Sequence, residues 1–139
     1  MPDPSRGLLD TSTLILLGRL PADALLPDEA LISSITLAEL SVGPLVATDD
    51  QERAARQSHL QQAEADFEPL PFDAAAARAF GRVAAALRAS GRKPAARAYD
   101  ALIAATAISK NLPLYTCNPA DFSGIPELEV APVPHPDHQ

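Results

Sequence analysis

The run Ala98-Tyr99-Asp100-Ala101-Leu102-Ile103-Ala104-Ala105-Thr106-Ala107-Ile108 decides how the chain is read. Beyond Asp100 it is apolar on nearly every side, the mark of a helix packed on all faces rather than one lying on a surface. A carboxylate therefore opens a buried helix. At that end the helix dipole and the unpaired N–H groups favour negative charge, whereas a mid-helix acid would be costly. What Asp100 faces is set by the strands before and after it.

Gly7-Leu8-Leu9 is a short apolar run ending in Asp10-Thr11-Ser12, and Thr13-Leu14-Ile15-Leu16-Leu17 then continues without a breaker to Gly18. This spacing predicts a buried strand, a tight crossing and a helix. Residues 30–35 read as a second strand, with Thr36 capping a helix that carries Glu39 three residues on. Asp49 to Asp66 reads as an exposed helix. Phe67 to Phe72, broken by Pro69 and Pro71, reads as an edge strand. Asp73 should cap an alanine-rich helix with Phe80, Val83 and Leu87 on its buried stripe, ended by Gly91. Gly91-Arg92-Lys93-Pro94 leads into the Asp100 helix, which is expected to run to about Lys110. Leu114 to Cys117 follows as a strand, then the turn Asn118-Pro119-Ala120-Asp121-Phe122, and Leu128-Glu129-Val130 is a last edge strand.

Strands alternating with helices predict an α/β fold, a three-layer sandwich with a mostly parallel sheet between helices. Right-handed crossovers gather the loops after the strands along one rim. Asp10, Glu39 and Asp121 each follow a strand, and Asp100 begins the helix feeding the third, so the four acids are expected to meet there. Each acid alone has a local explanation. Asp10 can cap a helix, and Glu39 sits at capping-box spacing from Thr36.

Together the four ask for more, because like charges repel by roughly 4 kcal/mol at 4 Å near a protein surface. No lysine or histidine lies along the same rim to pair with them. Oxygen ligands without Cys or His select hard ions, Mg²⁺ or Mn²⁺ over Zn²⁺. Such a site suits hydrolysis of a phosphodiester. Thr11, Ser12, Thr116 and Asn118 are the neighbours expected to hold the acids or their waters.

Composition fits one domain over residues 1–131 with a loose, Pro-rich tail over 132–139. The start Met1-Pro2-Asp3-Pro4 lacks a signal-peptide pattern and no apolar run would span a bilayer, so a cytoplasmic protein without a membrane partner is expected. The single Cys117 reads as a small strand residue. His59, alone on its helix, and His135 and His138 in the tail read as incidental. A net charge of −7 disfavours a polyanionic partner, yet six of the 11 basic residues, Arg78, Arg82, Arg88, Arg92, Lys93 and Arg97, crowd just ahead of Asp100. They read either as a solvated helix face or as a cationic edge beside an anionic pocket; Arg82, Arg92, Lys93 and Arg97 are the candidates for holding a phosphate chain.

Four segments together resemble the PIN-domain ribonucleases, and specifically the VapC toxins of bacterial toxin–antitoxin pairs: Leu8-Leu9-Asp10-Thr11-Ser12, Thr36-Leu37-Ala38-Glu39-Leu40, residues 99–107, and Thr116-Cys117-Asn118-Pro119-Ala120-Asp121-Phe122. They lie in the family's order and spacing over nearly the whole chain. The resemblance implies a five-stranded parallel sheet, endoribonuclease activity dependent on Mg²⁺ or Mn²⁺, and a homodimer. It also implies inhibition by a cognate VapB-like antitoxin, whose arginine would fit the acid pocket and whose groove would lie near Leu14 to Leu20 and Leu37 to Val46. It assigns Asp10, Glu39, Asp100 and Asp121 to the metal site and to catalysis on RNA. Cys117 stands where many relatives have a basic residue, and Asn118 where some have a further acid. Two other functions are weighed beside it. One is a non-catalytic PIN-like protein-binding module in which the acids only cap helices. The other is a phosphatase with Asp10 as nucleophile, for which Ser12 stands where a second Asp is usual.

Overall fold

The computed structural model describes residues 5–93 and 97–137. Met1 to Pro4, Pro94 and His138, which figure in the sequence reading, lie outside the described residues. Four strands, β1 (Arg6–Leu9), β2 (Glu29–Leu31), β3 (Leu114–Thr116) and β4 (Val130–Pro132), form one sheet in the order β2-β1-β3-β4, every pairing parallel. Among the described residues five α-helices flank it: α1 (Thr11–Leu16), α2 (Ser34–Val42), α3 (Asp50–Asp66), α4 (Ala74–Ala89) and α5 (Ala98–Ser109). Among the described residues no helix is long and apolar enough to cross a membrane.

The apolar residues pack in two clusters. Leu8 and Leu114 from the sheet meet Ala79, Val83 and Leu87 of α4, Ala101, Ile103, Ala104, Ala105 and Ala107 of α5, and Phe122, Ile125 and Leu128 beyond β3. A smaller cluster, Ile32, Leu40 and Ala63 with Leu14, Leu60 and Phe67, joins α1, α2 and α3. The all-round apolar character of α5 is thus explained: its residues 103 to 107 are all buried. On β1, Gly7 leaves room for the Tyr115 ring of β3, whose Cε1 would lie 2.3 Å from a Cβ at that position.

Helix ends carry the side chains expected of them. Asp49 accepts from Glu52 N and Asp73 from Ala76 N, each at an N-cap. Asp73 also takes Lys110 Nζ at 2.7 Å, tying the start of α4 to the end of α5. At the C-terminus of α4, Gly91 adopts φ +83° while Arg92 N donates to Leu87 O, a left-handed close that only glycine takes without strain. This turn carries Arg92 and Lys93 toward α5.

Three boundaries differ from the sequence reading. The second strand stops at Leu31, and Ser33 rather than Thr36 caps α2, its hydroxyl accepting from Ile35 N. Ser33 and Thr36 are both able caps, but Thr36 is fully buried inside the helix. Glu39 consequently lies in the second turn, and the capping-box explanation for it is removed. The fifth strand expected at 67–72 shrinks to one parallel bridge, Ser33 to Leu70, with Ser34 N and Leu70 N bonded to Leu70 O and Ile32 O. Pro69 and Pro71 on either side have no N–H to extend it. Finally, the boundary at 131/132 falls inside a strand. Pro132 ends β4, Val133 is buried and donates to Thr116 O at 2.8 Å, and Asp137 pairs with Arg19, so the tail is packed on the body this far.

Candidate active site

The chain leaves β1 toward β2 on one side and returns as β3 on the other. The carboxyl ends of these two neighbours are therefore where such a sheet opens a crevice. Asp10 follows β1 there and is buried, 3% exposed. It is both a cap and a site residue: Oδ1 accepts from Thr13 N at 3.0 Å, while Oδ2 accepts from Thr116 Oγ1 at 2.6 Å and lies 3.4 Å from Ser12 Oγ. Thr116 in turn accepts from Asn118 N at 2.9 Å, and Asn118 Nδ2 donates to Ser12 Oγ at 3.1 Å, closing a ring of polar groups around Asp10. Thr11, the next residue, donates to Glu39 Oε1 at 2.6 Å, with the Thr36 hydroxyl 3.0 Å behind it.

Asp100, in the first turn of α5, completes the group. Burial pushes its carboxyl up to about 6, and the charges of Asp121, Asp10 and Glu39 add to the rise against the opposing pull of Arg97. All four acids named from the sequence therefore share one electrostatic neighbourhood. Glu39 is also raised, chiefly by burial, with Thr11 pulling it back and Asp10 adding to the rise. Asp121 stands in the turn Pro119–Phe122 and pairs with Arg97 Nη1 at 2.9 Å, whose second contact is Asp100 Oδ2 at 3.7 Å.

The sequence reading looked only for a lysine or histidine as counter-charge; the cation that pairs with the acids is Arg97, a member of the cationic edge it also considered. Among the described residues, no three His, Cys, Asp or Glu side chains stand close enough, as they lie, to hold an ion jointly. Like charges draw apart, and each takes the nearest donor: hydroxyls and a backbone N–H for Asp10, Thr11 for Glu39, a guanidinium for Asp121. The donor set is nonetheless all oxygen, with neither thiolate nor imidazole in the group, which is the set a hard divalent cation takes.

Beside Asp100 and Asp121 opens a cavity of about 210 Å³ whose wall carries Arg92, Lys93 and Arg97. Three of the four basic residues proposed for phosphate contact are thus brought to the acids. Arg82 is not among the lining residues and instead pairs with Glu127 at 2.9 Å. Cys117 is buried with its thiol pushed up, chiefly by burial, which leaves it neutral and unreactive. Its backbone N–H donates to Thr13 Oγ1 at 2.9 Å. Thr13 and Thr36 are supporting residues that the sequence reading missed. Hydroxyls recurring within apolar stretches, at 11–13 and at 33–36, were the available signal, since a buried hydroxyl must find a partner.

Comparison with known proteins identifies the family. The family model described as PIN domain matches residues 8–128. Ribonuclease VapC5 of Mycobacterium tuberculosis is 44% identical over 115 residues, 81% of this chain and 83% of that one. Ribonuclease VapC of Rickettsia bellii is 35% identical over 133 residues, 94% and 98% of the two chains. Among solved structures, a crystal structure of VapBC-5, a member of the VapBC family of toxin-antitoxin systems from Mycobacterium tuberculosis, superposes with a TM-score of 0.77 at 38% identity, covering 94% of this chain and all of that chain. With four motifs in register, a parallel sheet in this order and relatives matched over most of their length, the chain belongs to the PIN-domain family, among its VapC members.

Proposed function

We propose that the protein is an endoribonuclease dependent on a divalent cation, Mg²⁺ or Mn²⁺, and that it acts as the toxin of a toxin–antitoxin pair. The observation that carries this is the pairing of Asp100 and Asp121 with one arginine, Arg97, on the wall of a cavity that also carries Arg92 and Lys93. Asp10 and Asp100 would hold the cation, with Glu39 and Asp121 beside them. When bound, the cation supplies Lewis acidity toward the phosphodiester and acidifies water. The rest falls to the chain. Thr13, Thr116 and Ser12 fix both oxygens of Asp10, so that no rotamer has to be frozen at the moment of reaction. Glu39, whose carboxyl is raised chiefly by burial and held by Thr11, suits acceptance of a proton from the attacking water. Arg92 and Lys93 face the cavity where the polyanion would lie.

Purified protein is expected to cleave RNA with Mn²⁺ or Mg²⁺ and to lose at least about a hundredfold in rate on chelation. Sequencing of the RNA ends reads activity and target at once, and no cleavage at saturating Mn²⁺ overturns the proposal. Since every acid but Asp100 already has a strong partner, a non-catalytic binding module remains a second reading; it predicts no Mn²⁺ binding by calorimetry.

For the antitoxin, a cavity of about 390 Å³ lies between α1 and α3, lined by Leu14, Ile15, Leu17, Leu40 and Phe67. Exposed Ile15 and Val42 lie on the two helices named from the family, and Leu45 and Val46 are exposed just beyond α2. Apolar surface of this kind, rimmed by polar groups, is the usual mark of a partner site. Ile15→Asp is expected to weaken antitoxin binding by about a hundredfold, read by calorimetry or co-purification, with RNA cleavage retained.

A further inference from the structure

The cation inside the acid group is the chain's own, and its placement has a cost. Arg97 occupies the N-cap of α5 but makes no capping hydrogen bond, in a position where Ser, Asp or Asn is usual. A positive charge there also opposes the helix dipole. Nothing in the helix gains from an arginine at 97; the acids do. Its Nη1 lies 2.9 Å from Asp121 Oδ1 and 3.7 Å from Asp100 Oδ2, the one cationic group among the described residues that pairs with two members of the quartet. Half of the Arg97 side chain is nevertheless exposed, 52%, and an ion pair so open to water is weak and readily exchanged.

We propose that Arg97 is a resident counter-ion of the acid site, which a divalent cation must displace before the carboxylates can close on it. This rests on the reading of the quartet as a cation site. The arginine lets the ion-free protein keep four acids together, and it sets the concentration at which an ion takes its place. Displaced, the guanidinium remains on the wall of the cavity with Arg92 and Lys93.

The test is Mn²⁺ binding to chelator-treated full-length protein, by calorimetry and by the electron paramagnetic resonance of free Mn²⁺, in the parent, Arg97→Gln and Lys93→Gln. Lys93→Gln removes one charge from the same wall, but that side chain forms no ion pair with either carboxylate among the described residues. Arg97→Gln is expected to bind Mn²⁺ about five- to tenfold more tightly, and Lys93→Gln less than about twofold. Equal affinity of parent and Arg97→Gln overturns the proposal and leaves the cation site standing, and so does weaker binding by Arg97→Gln. An equal gain in Lys93→Gln also overturns it, since general charge would then be the cause. Binding by none of the three removes both the counter-ion and the cation site.

Discussion

Asp100→Asn abolishes RNA cleavage, by at least about a thousandfold, and makes the metal-free protein more stable at neutral pH. The two effects share one cause. Among the described residues Asp100 pairs at 3.7 Å with Arg97 and lies under the charges of Asp121, Asp10 and Glu39, which with burial lift its carboxyl from 3.8 to about 6. A carboxyl whose folded value lies above its unfolded one binds more protons in the folded state. Its ionisation therefore removes stability, beginning near pH 4 and complete above about pH 6. Asparagine keeps the shape without the charge. With allowance for solvent screening, the gain is roughly 1–2 kcal/mol at pH 8, vanishing near pH 4. Thermal melts in a chelator at the two pH values, beside an RNA cleavage assay, check both halves. Retained cleavage in the variant removes the catalytic role of Asp100, and an equal gain at pH 4 and 8 removes the electrostatic account. The same proton competes with a bound cation, so Mn²⁺ affinity is expected to fall as pH drops below about 6.

Asp10→Ala is expected to cost stability as well as activity. The carboxylate caps α1 through Thr13 N and receives the hydroxyl of Thr116, which is fully buried. Loss of the cap costs about 1 kcal/mol and the orphaned hydroxyl about 1–3 kcal/mol, so a loss of roughly 2–4 kcal/mol follows, a fall in Tm of about 10 °C. Asp10→Asn keeps the acceptor for Thr13 N and replaces Oδ2 by an N–H donor, from which the Thr116 hydroxyl can turn to accept, so it should lose under about half of that stability, yet cleavage is lost in both. Denaturant unfolding of the two variants separates the scaffold role from the chemical one. Were Asp10→Ala as stable as the parent, the polar ring around Asp10 would be ornament.

Most of this arrangement could be read in the sequence where one residue type has one use. Asp73 before an alanine-rich run reads as a cap and is found so. The all-apolar run after Asp100 allows only a buried helix. Ambiguity entered where two residues compete for one role. Ser33 and Thr36 are equally able caps, and the apolar side chains Ile32 and Ile35 fit a strand or a helix, so the strand end and the place of Glu39 could not be fixed by pattern alone. Proline misled in the tail, because Pro132 ends an edge strand where its missing N–H costs nothing, and Val133 then packs inward. Charge was the least legible. Arg82 and Arg97 are alike in sequence, but only coordinates show that one meets Glu127 and the other the acids.

The sheet ends in proline on both flanks: Leu70 stands between Pro69 and Pro71 beyond β2, and β4 closes on Pro132 with Pro134 two places on. Proline removes an amide donor beyond β2 and at the end of β4, so strand addition at these places is disfavoured. A polypeptide partner is therefore expected to lay its side chains against the helix faces, where recognition is a matter of shape rather than of backbone zippering.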